Sequence, residues 1–223
     1  MTTTRGTRTR VKVCGLTRGT DARAAVLAGA DALGVVLVPG ARRGVTLTEA
    51  EAVFAEVPPF VARVGVFVDA PITDVLAAVG RLGLDAVQFS GQESPEACEQ
   101  VPVPVVKAFH VGPGLGGVDL VPYEGVIAGA LFDTAVPGEA GGTGRTFAWS
   151  ALAGLVPGLP VILAGGLTPE NVRAAILLTH PYAVDVSSGV ESALREKDPA
   201  RIDAFVAEVR AADAASAGTM RDE

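Results

Sequence analysis

Cysteine and histidine are scarce, with two of each among 223 residues: Cys14 and Cys98, His110 and His180. Two cysteines cannot build a disulfide framework or a four-cysteine zinc site, and two histidines leave no histidine-rich metal centre. Aromatic residues make up only 5% of the chain, with a single Trp, so the core must be largely aliphatic. No apolar run reaches the ~18 residues that a membrane helix requires. The polar, basic start MTTTRGTRTR lacks the apolar stretch of a secretion signal. Positive charge is also short: 18 Lys+Arg against 25 Asp+Glu gives 18 − 25 = −7, which argues against nucleic acid or an anionic membrane as a partner. A small anionic ligand stays open, because local dipoles rather than net charge would hold it. The 49% hydrophobic content suffices for a sizeable core and excludes a fully disordered chain. The expectation is a cytoplasmic globular protein.

Short β-branched runs alternate with Ala/Leu-rich segments along the chain. Strands are expected at 11–17, 32–38, 62–68, 86–91, 103–109, 125–133, 160–166 and 183–189. They read as near-continuous apolar runs, as strands covered on both faces do. Helical patterns fill the gaps: DARAAVLAG, TLTEAEAVFAEV, PITDVLAAVGRLG, SPEACEQV, AWSALAGL, TPENVRAAILLT and DPARIDAFVAEVRAADAA. Thr168-Pro169 and Asp198-Pro199 supply an N-cap followed by a proline at the first helical position. Between strands five and six, VGPGLGGVDLVPYE holds too many glycines and prolines for a regular helix. Eight strands and about seven helices describe a (β/α)8 TIM barrel with a degenerate fifth helix; an open doubly wound sheet is the alternative. No linker divides the chain, so a single barrel domain is expected over 11–211, with flexible tails at 1–10 and 212–223.

In such a barrel, function gathers at the C-terminal ends of the strands. Those ends hold Lys12 and Cys14, Arg42-Arg43, Gln88 and Ser90, Asp133, Gly165-Gly166, and Asp185 followed by Ser187-Ser188-Gly189. The glycines after strand seven and the Ser-Ser-Gly after strand eight suit a phosphate, because backbone N–H groups can approach closely there. GEAGGTGRT (138–146) is a third such loop. Cys14 and Asp133 are the groups placed for proton work: a thiolate acts as base when positive charge is near, and a carboxyl in an apolar mouth acts as acid. Cys14 as a small buried hydrophobe and Asp133 as a loop cap remain open alternatives. Arg42-Arg43 is either solvated loop charge or an anion clamp. Cys98 and Trp149 read as packing residues and His180 as a helix-end residue, while His110 either lines the pocket or is a satisfied polar neighbour.

Taken together and in order, these stretches resemble the phosphoribosylanthranilate isomerase family. The resemblance runs over about 11–210 and rests on Lys12-Val-Cys-Gly-Leu-Thr-Arg18, Gly29-Ala-Asp-Ala-Leu-Gly34, Val64-Gly-Val-Phe-Val68 and Asp85-Ala-Val-Gln88. The second half adds Leu131-Phe-Asp-Thr134, Gly141-Gly-Thr-Gly-Arg-Thr-Phe147, Leu163-Ala-Gly-Gly-Leu-Thr-Pro-Glu-Asn171 and Val184-Asp-Val-Ser-Ser-Gly-Val-Glu191. It implies Cys14 as general base and Asp133 as general acid. Lys12, Arg43, Gln88 and Asp185 would bind substrate, with Arg43 on the anthranilate carboxylate and Arg42 as its neighbour. Gly142, Gly165, Gly166, Ser188 and Gly189 would hold phosphate.

The implied reaction is the Amadori rearrangement of N-(5-phosphoribosyl)anthranilate, a set of proton transfers that needs no metal or organic cofactor. The implied partner is a small phosphorylated substrate, with no nucleic acid or membrane, and the implied state is a monomer or homodimer. Two stretches depart from the family pattern: Val38-Pro-Gly-Ala-Arg-Arg-Gly44 lacks the usual aromatics, and Ser90 stands where a histidine is usual. They keep in view a related isomerase for another phosphoribosyl-arylamine; a third reading, a non-catalytic phosphosugar-binding barrel, is opposed by the presence of both Cys14 and Asp133.

Overall fold

The computed structural model describes residues 8–110, 119–133 and 159–219. Eight parallel strands close into a barrel in sequence order: β1 (Arg10–Val13), β2 (Ala32–Val36), β3 (Ala62–Phe67), β4 (Ala86–Phe89), β5 (Val105–His110), β6 (Gly129–Asp133), β7 (Val161–Ala164) and β8 (Ala183–Val186). β1 pairs with β8 through Lys12↔Asp185 and Val13↔Val186, which shuts the ring. Helices α1 (Gly19–Ala28), α2 (Leu47–Phe54), α3 (Ile72–Leu82), α4 (Pro95–Glu99), α5 (Val172–Thr179) and α6 (Pro199–Thr219) surround it.

Strand alternation divides the apolar residues into two layers. Outward-facing Val11, Val13, Leu33, Val35, Phe132 and Leu163 pack with the helices in one large core. Inside the barrel, Ala108, Leu131, Ile162, Ala164 and Ala183 form a small cluster of their own. The buried polar residues Lys12, Gln88 and Asp185 share strand faces with that inner set.

Local chemistry fixes the helix starts. Thr46 and Glu49 form a reciprocal capping box at α2, which satisfies two otherwise unpaired N–H groups. The Asp198 side chain accepts from Ala200 N–H at 2.9 Å ahead of α6, as expected. The start expected at Thr168-Pro169 moves: α5 begins at Val172, with Asn171 at the N-cap. Residues 168–171 form a turn instead, in which the Thr168 carbonyl accepts from Asn171 and Val172 and the Asn171 side chain accepts from Thr168 N–H at 2.8 Å.

Two further differences emerge. Residues 191–197 form an antiparallel hairpin, β9 (Glu191–Ala193) with β10 (Glu196–Lys197), which no sequence pattern announced. The folded body also exceeds 11–211. Thr9 is buried, and its N–H and hydroxyl donate to Asp213 at 2.8 and 2.7 Å, so α6 continues through the expected tail to Thr219 and holds the entry to β1. Residues 1–7 and 220–223 lie outside the described residues. Between β5 and β6, the described part of the connection contains a 3-10 turn, Val121–Tyr123, in keeping with a degenerate fifth helix. The expected helix AWSALAGL, Trp149, Gly142 and the rest of loop 138–146 also lie outside the described residues.

Candidate active site

β1 turns Lys12 and Cys14 into the barrel because their neighbours Val11 and Val13 face the outer core. The Lys12 Nζ donates to both carboxylate oxygens of Asp185 at 3.0 Å, across the β1–β8 register. Cys14 follows one step beyond β1, its N–H donating to the Val186 carbonyl at 2.8 Å. A Cβ placed on Gly34 would stand 2.9 Å from Cys14 Sγ and 3.2 Å from Lys12 Nζ, so thiol and ammonium lie side by side over β2. Burial pushes the Cys14 thiol up, while Lys12 pulls against that shift. For Lys12, burial works downward, but the Asp185 and Cys14 charges outweigh it and the ammonium is held above its ordinary range.

Asp133 ends β6, half-buried, level with His110 on β5 and Ala164 on β7. Its charge reaches Asp185: burial raises the Asp185 carboxyl, Lys12 lowers it, and Asp133 adds to the rise. Cys14 and Asp133 therefore occupy the same, C-terminal mouth, with the Lys12–Asp185 pair between them. His110, beside Asp133 in register, is exposed. On β4, Gln88 is buried and donates through Nε2 to Ser90 Oγ at 3.1 Å. Its Oε1 is buried without a hydrogen-bond partner among the described residues.

The loops after β7 and β8 meet at the rim. Gly165 and Gly166 adopt φ +86° and +64°, a conformation that side-chain-bearing residues rarely take. Ser188 and Gly189 lie in a 3-10 turn, Ser188–Val190. A Cβ on Gly189 would fall 1.8 Å from the Leu167 carbonyl oxygen, so only glycine lets these two backbones touch. Of the five expected phosphate positions, Gly165, Gly166, Ser188 and Gly189 come together here; Gly142 lies outside the described residues.

The arginine pair divides. Arg42 is exposed, whereas Arg43 is partly buried and crosses Gly15, where a Cβ would be 2.6 Å from Arg43 Cδ. Arg43 lies close enough for the Cys14 charge to act on it. Its Nε and Nη2 donate to Glu191 at 2.7 and 2.6 Å. Lys197 Nζ adds a bond to Glu191 at 3.1 Å and one to the Ser187 carbonyl at 2.9 Å. Sequence reasoning did not single out Glu191 or Lys197. Glu191 closes the Ser-Ser-Gly-Val-Glu run and was the only available signal. Cys98 packs on α4, and burial pushes its thiol up to about 11, consistent with a packing residue.

Comparison with known proteins identifies the family. A family model described as N-(5'phosphoribosyl)anthranilate (PRA) isomerase matches residues 11–208. The N-(5'-phosphoribosyl)anthranilate isomerase of Chromohalobacter salexigens is 50% identical over 204 residues, covering 91% of this chain and 94% of that protein. Phosphoribosyl anthranilate isomerase from Thermotoga maritima superimposes with a TM-score of 0.84 at 39% identity, over 91% of this chain and 99% of that one. A phosphoribosyl anthranilate isomerase solved with reduced 1-(o-carboxyphenylamino)-1-deoxyribulose 5-phosphate gives 0.79 at 36% identity, over 91% and 99%.

Proposed function

The chain belongs to the phosphoribosylanthranilate isomerase family of tryptophan biosynthesis, and from that premise we propose that Cys14 and Asp133 carry the proton transfers of its Amadori rearrangement. Asp133 gives its proton to the furanose ring oxygen, and the C1′–O4′ bond breaks to leave a protonated Schiff base on the anthranilate nitrogen. The Cys14 thiolate takes the C2′ proton, and that electron pair forms the enolamine and neutralises the nitrogen. Tautomerisation moves a proton from the C2′ hydroxyl to C1′ and yields 1-(o-carboxyphenylamino)-1-deoxyribulose 5-phosphate. One proton has left Asp133 and one has reached Cys14, so the reactive protonation state returns when a proton passes back between them. The observation that carries the reading is the common placement of thiol and carboxyl at one barrel mouth.

The other residues supply binding. Gly165, Gly166, Ser188 and Gly189, with Gly142, take the phosphate. Arg43 takes the anthranilate carboxylate, and Gln88 Oε1, buried and without a partner among the described residues, accepts from a substrate O–H or N–H. Lys12 stabilises the Cys14 thiolate, and Asp185 holds Lys12 in place. Among the described residues no helix is long and apolar enough to cross a membrane. A cytoplasmic monomer or homodimer acting on this small phosphorylated substrate completes the proposal.

The test follows the loss of phosphoribosylanthranilate fluorescence. Asp133→Asn and Cys14→Ala each lower kcat by at least ~10³-fold, within the span of general acid–base contributions, and leave affinity for the reduced product analogue within a few-fold. Normal turnover by either folded variant overturns the assignment.

A further inference from the structure

We infer that Glu191 is a positioning residue: it braces Arg43 so that the free edge of the guanidinium meets the substrate carboxylate. This rests on the reading of Arg43 given above. A guanidinium has two edges able to make paired bonds to a carboxylate. Glu191 uses the Nε/Nη2 edge and leaves the Nη1/Nη2 edge for a second carboxylate. Arg43 is still partly exposed at 21%, whereas Glu191 is 7% exposed, so the brace is set behind the arginine rather than in solvent.

The charge count supports an anion in front. Two cationic groups, Arg43 and Lys197, face the single Glu191 carboxylate, with burial pulling the Lys197 ammonium below its ordinary range. Burial would raise the Glu191 carboxyl, but Arg43 and Lys197 together hold it below the usual carboxylate range.

The hairpin exists at the right place for this task. Glu191 opens β9 and Lys197 ends β10, and the two are direct cross-strand partners. The hairpin is then fastened to the loops after β1 and β2 and to the first turn of α1. Thr17 Oγ1 donates to the Arg195 carbonyl at 2.8 Å, Arg195 Nη1 donates to the Gly44 carbonyl at 3.0 Å, and Lys197 N–H donates to Asp21 at 2.9 Å. Lys197 also fixes the Ser187 carbonyl, one residue before Ser188. The brace thus sets the aryl end of the site relative to its phosphate rim.

The experiment compares two ligands by calorimetry: the reduced product analogue and its counterpart without the ring carboxylate. Glu191→Gln weakens the carboxylated ligand about tenfold and the other less than twofold, and Glu191→Asp lies between the wild type and Glu191→Gln. In the Arg43→Met background, Glu191→Gln adds nothing. In steady-state kinetics the loss falls on KM rather than kcat. Equal losses on both ligands mark a merely structural residue, and unchanged or tighter binding marks a competitor for Arg43; each overturns the brace. If Arg43→Met itself leaves the carboxylated ligand unaffected, the reading of Arg43 falls with it. If Arg43→Met weakens that ligand and Glu191→Gln does not, the brace alone falls.

Discussion

Replacing Gly189 with Ala adds one carbon, and the structure says where it lands. It would sit 1.8 Å from the Leu167 oxygen, 2.9 Å from the Leu167 carbonyl carbon and 3.2 Å from Thr168 Cα. All three are backbone atoms, so no side chain can swing aside. Ordinary contact starts at 3.4 Å, and 3.4 − 1.8 leaves about 1.6 Å of separation to be found between the loops after β7 and β8. Misplacing a binding group by about 1 Å costs on the order of 10²-fold. Gly189→Ala should therefore lower kcat/KM by about 10²-fold, equivalent to about 2.7 kcal/mol of transition-state stabilisation. Inorganic phosphate should weaken as a competitive inhibitor alongside it. Gly80→Ala is the internal control: Gly80 lies within α3 with nothing within 4 Å of its added carbon, so Ala there should stabilise by about 0.5–1 kcal/mol and leave kinetics alone. A Gly189→Ala enzyme within threefold of wild type would refute the claim that these two loops are locked by backbone contact.

Two more outcomes follow from the buried charges. Lys12→Met strands the Asp185 carboxylate in the barrel, both partners being only 9% exposed, and should cost about 3–5 kcal/mol in urea unfolding at neutral pH. Adding Asp185→Leu should recover most of that stability without activity, and a single-variant loss under about 1 kcal/mol would show that the pair is not buried as drawn. Because the folded Cys14 and Lys12 groups both titrate above their ordinary values, the native state keeps protons that the unfolded chain has lost. Their stabilising contribution is thus complete below the unfolded values and drains away as pH rises through the folded ones. Activity runs the other way: kcat/KM should climb with pH toward a limb above that of free cysteine, and a limb below it would contradict the burial of the thiol.

Much of this was legible in the chain, for a definite reason. A parallel barrel strand is covered on both faces, so each writes itself as an apolar run, and all eight were found. Their far ends were not: the expected 11–17 stops at Val13 and 183–189 stops at Val186. The apolar-and-glycine pattern runs on into the loops that hold Cys14, Ser188 and Gly189, so the strand signal overshoots where the site begins. Cys14, Asp133, Lys12, Asp185, Gln88 and the pair Arg42-Arg43 were nameable because a barrel's chemistry sits at those ends, and the family resemblance singled out Arg43 from the pair. The hairpin bearing Glu191 and Lys197 was not. Its strands are three and two residues long, and Arg195 bends through φ +71°, so it is held by side chains from distant loops rather than by any local periodicity. Residues whose task is to orient another side chain leave no pattern of their own.

Gly34 gives position 34 a different sort of restriction. Nothing in its backbone forbids a methyl group, since its φ is not among the left-handed ones. What fills the missing volume is the Cys14 sulfur and the end of the Lys12 side chain. The barrel wall is left blank opposite the thiol proposed as the base, as a workbench is cleared opposite the tool. An alanine there would read in a stability assay as an ordinary core change, while the reactive atom itself had been moved.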